Sequence, residues 1–271
     1  MRLSEAVAVL AEAGIEDARW EARRIFCDIG GLSDLSLVGK DAECDCPAVL
    51  DAISRRAKRE PLQYILGYAD FYRERYKVTP DVLIPRQDTE MLVDYAVHNL
   101  ARGARFLDLC TGSGCVAIST LKNTIDTGAV LVDISECALA VAKENAAAIG
   151  VLHRAELNCL DVTAQKIEGK FDAVLSNPPY VTEKSYEALM PEIYFEPKIA
   201  FVGGGDDGAS FYEIITALYR DSLTDGGFIA FEIGYDQKNV IESIAKRHQM
   251  SCEVQKDLGG NWRLAILKNE K

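Results

Sequence analysis

Histidine is scarce in this chain of 271 residues, which has only His98, His153 and His248. A catalytic triad or a metal centre built on histidine therefore has little material to draw on. The eight cysteines offer one close pair, Cys44 and Cys46, and no second pair or histidine cluster completes a set of zinc ligands. We therefore expect no metal site.

The chain also lacks a secretory segment and any apolar run that approaches membrane-spanning length. Together with the scattered cysteines, this predicts reduced, mostly buried thiols in a cytoplasmic protein without membrane contact. Basic residues are outnumbered, since 30 Lys and Arg face 42 Asp and Glu, for a formal charge of −12. Because nucleic-acid affinity depends largely on Lys and Arg, this balance disfavours a broad phosphate-binding face, although a local basic groove stays compatible with it.

The chain begins with the pattern of a small helical domain, which we predict for residues 1–66. Apolar residues recur there at helical spacing, and Pro47 is expected to open the third helix. The basic run at residues 55–59 is expected to be a solvated helix end, where positive charge favours the helix dipole, with docking of a partner as the alternative. From Tyr64 to Ile84 the pattern alternates with aromatics, which predicts a β-hairpin, with a linker at residues 67–84.

The remaining residues, 85–271, are predicted to form a larger α/β domain. Asp88 or Thr89 is expected to cap its first helix. After residue 105, strand and helix patterns alternate, which is typical of a mostly parallel sheet. Strands are predicted at residues 106–109, 130–132, 155–158, 171–175 and 228–233. Segments 252–257 and 262–267 flank two glycines, and they predict an antiparallel hairpin that closes the sheet edge.

A glycine-rich turn follows the first of these strands. The segment Cys110-Thr111-Gly112-Ser113-Gly114 leads into a helix, and its glycines let backbone amides approach a ligand at the positive helix end. Asp133 ends the second strand, where a carboxylate can accept both hydroxyls of a ribose. A nicotinamide dehydrogenase would share these features, so the turn alone leaves the cofactor open.

Two further strand ends separate the possibilities. Asp161 and Val162 follow the third strand and are placed to lie beside an adenine. The segment Asn177-Pro178-Pro179-Tyr180 follows the fourth strand. Its prolines fix φ and lack amide donors, which makes the loop stiff and rich in carbonyl acceptors. Such a loop suits a planar NH2 group, which a nitrogen methyltransferase must hold and a hydride-transfer enzyme need not. Together the four strand ends predict S-adenosylmethionine (SAM) as the cofactor.

The same loop indicates how an amide nitrogen becomes reactive. The Asn177 side-chain oxygen and the Pro178 carbonyl can accept its two N–H groups, which orients the nitrogen toward the methyl and stabilises the positive charge that grows on it. Tyr180, with Phe71 or Tyr72 of the predicted hairpin, is expected to stack on the planar amide or shield its charge. No strong base is needed, because the proton leaves easily once the nitrogen is alkylated.

Over nearly its whole length the chain resembles the release factor glutamine methyltransferases, the HemK/PrmC family. The segments that carry the resemblance are residues 61–67, 83–90, 107–114, 176–180, 196–200, 203–204 and 231–235. The Asn-Pro-Pro-Tyr motif is shared by many amino-group methyltransferases, whereas segments 61–67 and 83–90 are much more specific. The resemblance implies a class I SAM-dependent methyltransferase fold with a seven-stranded sheet, preceded by the helical domain and the hairpin linker. It also implies methylation of the glutamine side chain in the Gly-Gly-Gln motif of peptide chain release factors, with S-adenosyl-L-homocysteine as the product.

The resemblance also implies a set of site residues. SAM is expected to contact Cys110, Thr111, Gly112, Ser113, Gly114, Asp133, Val162 and Asn177, to which Asp161 is added from its position. The substrate glutamine is expected at Asn177, Pro178, Pro179 and Tyr180, with Asn177, Pro178 and Tyr180 as the catalytic residues. Arg86 is expected either to anchor a carboxylate or to form a helix-end salt bridge. Three positions depart from the family pattern: Gln87 replaces a frequent proline, Cys110 a frequent glycine, and Asn261-Trp262 a frequent Asp-Arg pair.

Three alternatives stay open at this point. A DNA or RNA adenine-N6 methyltransferase would use the same acceptor loop for a flipped base, but the acidic charge and segments 61–67 and 83–90 weigh against it. A non-catalytic SAM-binding protein would not need the acceptor loop. A dehydrogenase is the most distant of the three. We expect the helical domain to dock the protein substrate, although its apolar stripes would equally serve its own core.

Overall fold

The structure, a computed structural model, describes residues 1–269. Its chain forms two compact units, of which the first contains Met1–Tyr68 together with Met190–Phe195. The second contains Ala69–Leu189 and the chain from Glu196 onward. Residues 270 and 271 of the predicted larger domain lie outside the described residues, and the three-part division at residues 66 and 84 stays a prediction.

The first unit is a small helical bundle. Its helices are α1 (Leu3–Glu12), α2 (Ala18–Asp28), α3 (Pro47–Ala57) and α4 (Leu62–Leu66). The apolar stripes of these helices pack together around fully buried side chains such as Leu10, Phe26 and Ile53. Tyr64 lies in α4, so the hairpin prediction began too early; Gly67, with φ of 79°, ends this helix in the left-handed conformation.

The prediction that residues 55–59 are a solvated helix end is wrong for Arg56. Arg56 follows Ile53 by three positions, on the buried face of α3, and is only 6% exposed. Its guanidinium donates to Glu21 at 2.5 Å and to Glu192 at 3.0 Å. Arg59 donates to the same Glu192 carboxylate at 2.9 Å. These four side chains form an ionic cluster inside the first unit.

Removing Arg56 is expected to destabilise the first unit strongly. Arg56→Met leaves the carboxylate of Glu21 buried without its partner, which typically costs about 3–5 kcal/mol. Urea unfolding measures this through the fluorescence of Trp20, after Trp262→Phe has made Trp20 the only indole. Arg23→Met is the control, because Arg23 pairs with Asp34, which is 75% exposed, and such pairs contribute about 1 kcal/mol or less. Equal losses in the two variants would contradict the role of the cluster.

The second unit is built on one seven-stranded sheet and also contains a two-stranded hairpin, with strands β1 (Tyr68–Phe71), of which the first residue still belongs to the first unit, and β2 (Glu74–Lys77). The sheet strands are β3 (Arg105–Leu109), β4 (Gly128–Asp133), β5 (Ala155–Cys159), β6 (Phe171–Ser176), β7 (Leu223–Glu232), β8 (Met250–Lys256) and β9 (Trp262–Asn269). The helices are α5 (Glu90–Asn99), α6 (Cys115–Asn123), α7 (Glu136–Ile149), α8 (Glu183–Tyr186), α9 (Ser210–Tyr219) and α10 (Lys238–Arg247). Helix α10 was not predicted from the sequence.

The strand order is β5-β4-β3-β6-β7-β9-β8. Strands β3 to β7 pair in parallel, and β9 runs antiparallel to both β7 and β8. The predicted α/β sheet with a C-terminal antiparallel hairpin is therefore confirmed. The chain leaves β3 toward β4 on one side and later returns to β6 on the other. The carboxyl ends of these strands therefore open into a crevice at the switch point, where α/β proteins bind their ligands.

The sheet is buried on both faces, as parallel sheets are. Phe106 contributes to the hydrophobic cluster on one face, and its neighbour Leu107 to the cluster on the other, because side chains alternate along a strand. Among residues 1–269, no helix combines the length and the apolar character that membrane crossing would need. The cysteines are free thiols, but only Cys44 and Cys115 are buried, so the expectation of mostly buried thiols is wrong.

Candidate active site

The glycine turn between β3 and α6 has a tightly constrained backbone. Cys110, Gly112 and Gly114 all have positive φ, at 59°, 54° and 80°. At Gly114 the positive φ favours glycine, and a Cβ atom there would also lie 2.7 Å from Ile118 Cδ1 and 3.1 Å from Ala142 Cβ. At Gly112 a Cβ atom would meet nothing within 4 Å, which shows that this backbone faces open space. Cys110 holds a left-handed conformation that costs most side chains about 1–2 kcal/mol and that glycine adopts without this cost.

The side chains of Asp108 and Asn145 hold the turn in place through hydrogen bonds. The Asp108 carboxylate is buried and accepts hydrogen bonds from Thr111 Oγ1 at 2.6 Å and from the Ala117 backbone N–H at 3.1 Å. Burial raises the pKa of Asp108 to about 7, although these two bonds oppose the shift. Asn145 of α7 donates from Nδ2 to the Ser113 carbonyl at 2.9 Å. The turn is therefore set by the strand before it and by the helix packed beside it.

A cavity of about 250 Å³ opens at the carboxyl ends of β3, β4 and β6. Asp133 lies on its wall, where its carboxylate accepts from the Gly112 N–H at 2.9 Å and the Ser135 N–H at 3.0 Å. Burial raises the pKa of Asp133, and these amides oppose that shift. Asp161 also lines the cavity, and its bonds from the Thr163 side chain and backbone lower its pKa.

The cavity lining fits SAM by its chemistry. Asp133 and Asp161 supply carboxylate oxygens for hydroxyl or amino groups, and each oxygen has more than one acceptor site. The lining also contains apolar side chains that can pack against a purine: Ile134, Ala138, Leu160, Val162 and Phe211. The open backbone at Gly112 leaves room for close approach of a ligand. In the described part of the chain, no group of three His, Cys, Asp or Glu side chains is placed to hold a metal ion.

The Asn-Pro-Pro-Tyr loop lies at the rim of this cavity, with Asn177 and Pro179 in its lining. Neighbouring backbone fits tightly around the loop. A Cβ atom on Gly203 would lie 2.4 Å from the Pro179 carbonyl oxygen, and one on Gly208 would lie 2.2 Å from the Tyr180 carbonyl oxygen. Gln237 donates to that same Tyr180 carbonyl at 3.0 Å. The loop is therefore held in a fixed position facing the predicted cofactor site.

The side chains of this loop are fixed as well. Asn177 Nδ2 donates to Thr89 Oγ1 at 3.2 Å, and Thr89 Oγ1 donates to Glu232 Oε2 at 2.5 Å. The Tyr180 hydroxyl donates to Glu232 Oε1 at 3.0 Å. The prediction that Asp88 or Thr89 caps a helix is wrong: a 3-10 turn, Gln87–Thr89, precedes α5, and neither the turn nor α5 has a side-chain cap. The Thr89 hydroxyl bonds to Glu232 instead.

Arg86 forms an ion pair with Glu196. Of the two roles predicted for Arg86, this agrees with the salt bridge, although the partner residue lies far along the chain and not at the same helix end. Glu196 has a side chain only 1% exposed, and it also accepts from the Ile84 N–H at 2.9 Å. Arg86 is 37% exposed and faces a small cavity of about 40 Å³ beside the larger one. Asn177 lines both cavities.

The predicted site residues converge around these two cavities with few exceptions. The larger cavity is lined by Cys110, Gly112, Asp133, Asp161, Val162, Asn177 and Pro179, and the smaller one adds Arg86, Thr111 and Ser113. Gly114, Pro178 and Tyr180 belong to the same turn and loop but line neither cavity. Phe71 and Tyr72 pack in the hydrophobic cluster with Tyr76, so the structure does not place them to stack on a substrate amide.

Sequence reasoning missed Thr89, Glu232, Glu196 and Gln237 as parts of this site. One signal was present for Glu232, which is an acidic residue inside the otherwise apolar strand predicted at residues 228–233. Such a residue is buried with the strand and must find hydrogen-bond donors. Its donors come from segments remote in sequence, which the local pattern does not show.

Comparisons with known proteins agree with this architecture. Residues 2–67 match the PrmC N-terminal domain family, and residues 87–200 match the Methyltransferase small domain family. The chain is 37% identical over 245 residues to the release factor glutamine methyltransferase of Geobacter sulfurreducens, covering 88% of this chain and 84% of the relative. It is 34% identical over 270 residues to the enzyme of the same name from Agrobacterium fabrum, covering 96% of this chain and 93% of that one.

Solved structures show the same fold at lower identity. A methyltransferase from Pyrococcus furiosus superposes with a TM-score of 0.54 at 19% identity, covering 72% of this chain and 89% of that one. The ribosomal protein L11 methylase from Lactobacillus delbrueckii gives a TM-score of 0.52 at 19% identity, covering 69% and 81%. The fold is that of the class I methyltransferases, and SAM is the cofactor. Because the similarity to curated relatives spans nearly the whole length of both chains, this chain belongs to the release factor glutamine methyltransferase family.

Proposed function

We propose that this chain transfers the methyl group of SAM to the side-chain nitrogen of a glutamine in the Gly-Gly-Gln motif of peptide chain release factors. The observation that carries the proposal is the position of Asn177, at the rim of the cavity and with its amide nitrogen already bonded to Thr89. The names of the relatives supply the substrate. Nothing in the comparisons favours a nucleic-acid substrate, and the charge of −12 disfavours one.

The chemistry follows from the acceptors of the Asn-Pro-Pro-Tyr loop. An amide nitrogen is a weak nucleophile because its lone pair is delocalised into the carbonyl. The Asn177 side-chain oxygen and the Pro178 carbonyl accept its two N–H groups and orient the nitrogen toward the methyl. These acceptors also stabilise the positive charge that develops on the nitrogen during transfer. SAM supplies the electrophilic methyl when bound, and no residue of this chain has to act as a strong base.

The same proposal assigns roles to the remaining residues. SAM contacts the turn residues Cys110, Thr111, Gly112, Ser113 and Gly114, with Asp133 at the ribose, Asp161 and Val162 at the adenine, and Asn177 near the methyl. Pro179, Tyr180 and Arg86 complete the substrate side, and S-adenosyl-L-homocysteine is the product. The release factor is the protein partner, in the cytoplasm, without direct contact with nucleic acid or membrane.

Methyl transfer measured with labelled SAM tests this proposal directly. Purified release factor, total RNA and double-stranded DNA are each incubated with the enzyme and the labelled cofactor. We expect label in the release factor alone, and none when the glutamine of its Gly-Gly-Gln motif is replaced by alanine. Label in the RNA or DNA would favour an adenine methyltransferase instead. Absence of label from all three would refute the proposed release factor substrate.

The tight packing behind the acceptor loop gives a further prediction. In Gly203→Ala the new methyl would lie 2.4 Å from the Pro179 carbonyl oxygen and 2.3 Å from the Gly208 carbonyl oxygen, so the loop must shift. A displacement near 1 Å in a positioned site can lower a rate about 10²-fold, and we expect a loss of that order in kcat. The control is Gly128→Ala in β4, where the nearest atom to the new methyl is 4.0 Å away. A Gly203→Ala enzyme with the parent rate would show that the loop tolerates displacement.

A further inference from the structure

We propose that Glu232 is a positioning residue that acts through Thr89 to fix the orientation of the Asn177 carboxamide, with its oxygen toward the reacting amide. This inference rests on the proposed function, since it concerns the same acceptor. It assigns a role to two buried residues that neither the comparisons nor the cofactor site explain. Thr89 is 2% exposed and Glu232 is 3% exposed.

The number of available protons decides the orientation of the Asn177 side chain. A carboxylate can only accept hydrogen bonds, and a threonine hydroxyl carries one proton. Because Thr89 Oγ1 lies 2.5 Å from Glu232 Oε2, its single proton is directed to the carboxylate. The hydroxyl oxygen can then only accept from the Asn177 side chain, which lies 3.2 Å away. The group of Asn177 that faces Thr89 must therefore be its NH2 group.

The consequence for Asn177 is a defined polarity. With its nitrogen held by Thr89, its carbonyl oxygen points away from that contact and receives no hydrogen bond from any residue in the range 1–269. In the reversed orientation the side chain would present N–H donors to a substrate that also presents N–H donors. That arrangement would repel the substrate amide and the charge that develops on it. An asparagine side chain has little intrinsic preference between these orientations, so the choice depends on its hydrogen-bond partners.

Glu232 holds the other end of the loop as well. Its second oxygen accepts from the Tyr180 hydroxyl at 3.0 Å, so both polar side chains of the Asn-Pro-Pro-Tyr loop depend on one carboxylate. Burial raises the pKa of Glu232, while the Thr89 and Tyr180 hydroxyls and the positive charge of Arg263 favour its ionised form. Arg263 is itself held by Asp88 and Asp257, at 3.3 Å each. One buried carboxylate therefore interacts with Thr89, Tyr180 and Arg263, which are remote from one another in sequence.

A matched pair of variants at Thr89 tests the inference. Thr89→Val keeps the shape and removes the hydroxyl, whereas Thr89→Ser keeps the hydroxyl and removes only a methyl group. With intact release factor as substrate, we expect Thr89→Val to lower kcat about 10- to 100-fold, with the SAM Kd within about twofold of the parent value. Thr89→Ser is expected to keep kcat within about threefold of the parent value, because it retains the hydroxyl. Glu232→Met should resemble Thr89→Val, because it removes both acceptor oxygens and leaves the Thr89 proton free to turn toward Asn177.

A double-mutant cycle separates this role from general damage to the fold. If Thr89 acts through Asn177, adding Thr89→Val to Asn177→Ala should lower the residual single-turnover rate less than about twofold. A full additional loss in the double variant would overturn the inference, as would a Thr89→Val enzyme with the parent kcat. SAM titration of each variant reports whether the cofactor domain is folded, and a Thr89→Val enzyme that fails to bind SAM while Thr89→Ser binds normally would also overturn it. A parent enzyme that does not methylate the release factor would refute the proposed function itself.

Discussion

Replacing Asn177 by alanine is expected to lower kcat for release factor methylation about 10²–10³-fold, while SAM still binds with reduced affinity. The side-chain oxygen of Asn177 is the acceptor best placed to hold one N–H of the substrate amide. Its effect grows as positive charge develops on the nitrogen, so its loss affects the transition state more than the bound substrate. The rate is measured with saturating SAM and release factor, and SAM affinity by calorimetry.

Asn99→Ala is the matched control for this prediction. Asn99 is an exposed asparagine at the end of α5, and its Nδ2 donates to the Tyr95 carbonyl at 2.8 Å, within its own helix. We expect no change in either measurement for this variant. An Asn177→Ala enzyme with the parent turnover would remove Asn177 from the mechanism. A loss of SAM binding as large as the loss of rate would make it a cofactor ligand only.

Asp133→Ala is expected to weaken SAM binding about 10- to 100-fold or more, since hydrogen bonds to a charged group contribute about 1.5–3 kcal/mol each. The carboxylate has two roles in the structure. It faces the cavity, where we propose that it holds the ribose hydroxyls, and it accepts the backbone N–H groups of Gly112 and Ser135. Its removal therefore loosens the glycine turn as well as deleting a ligand. Calorimetric titration with SAM measures the effect.

Asp172→Ala is the control for Asp133. Asp172 lies near the opposite end of β6 and likewise accepts hydrogen bonds, from the Arg105 N–H and the Thr224 hydroxyl at 2.8 Å each. It therefore matches Asp133 as an acceptor near the end of a strand without facing the cavity. We expect Asp172→Ala to bind SAM with the parent affinity. An Asp133→Ala enzyme that also does so would show that our placement of the cofactor is wrong.

The parts of this protein that local sequence determines were predictable. The turn from Cys110 to Gly114 and the loop from Asn177 to Tyr180 follow apolar strands, and parallel strands bring their carboxyl ends together at one edge. The alternating and apolar runs placed the strands to within a few residues. Strand β7 is the largest departure, since it begins at Leu223 where residue 228 was predicted. Gly226, with φ of 80°, lies in the register shift that interrupts its pairing, so the apolar pattern begins only after it.

The parts that depend on distant partners were not predictable. Thr89 and Glu232 are 143 positions apart, and Thr89 and Asn177 are 88 apart. No periodicity links such residues, so Thr89 was interpreted by the local rule for helix caps. The prediction for Arg56 was wrong for the same reason, because its partner Glu192 lies 136 positions away. From sequence alone, charged side chains are expected to be exposed to solvent. Only the folded chain shows which of them pair with a buried partner.

The position of the methyl group in the product tests the central claim most directly. A purified release factor is incubated with this enzyme and SAM, digested, and fragmented in a mass spectrometer to locate the added methyl. The account predicts a single methyl on the side-chain nitrogen of the glutamine in the Gly-Gly-Gln motif, formed by the parent enzyme and nearly absent with Asn177→Ala. A methyl on any other residue, or an unmodified glutamine with an enzyme that binds SAM, would contradict it.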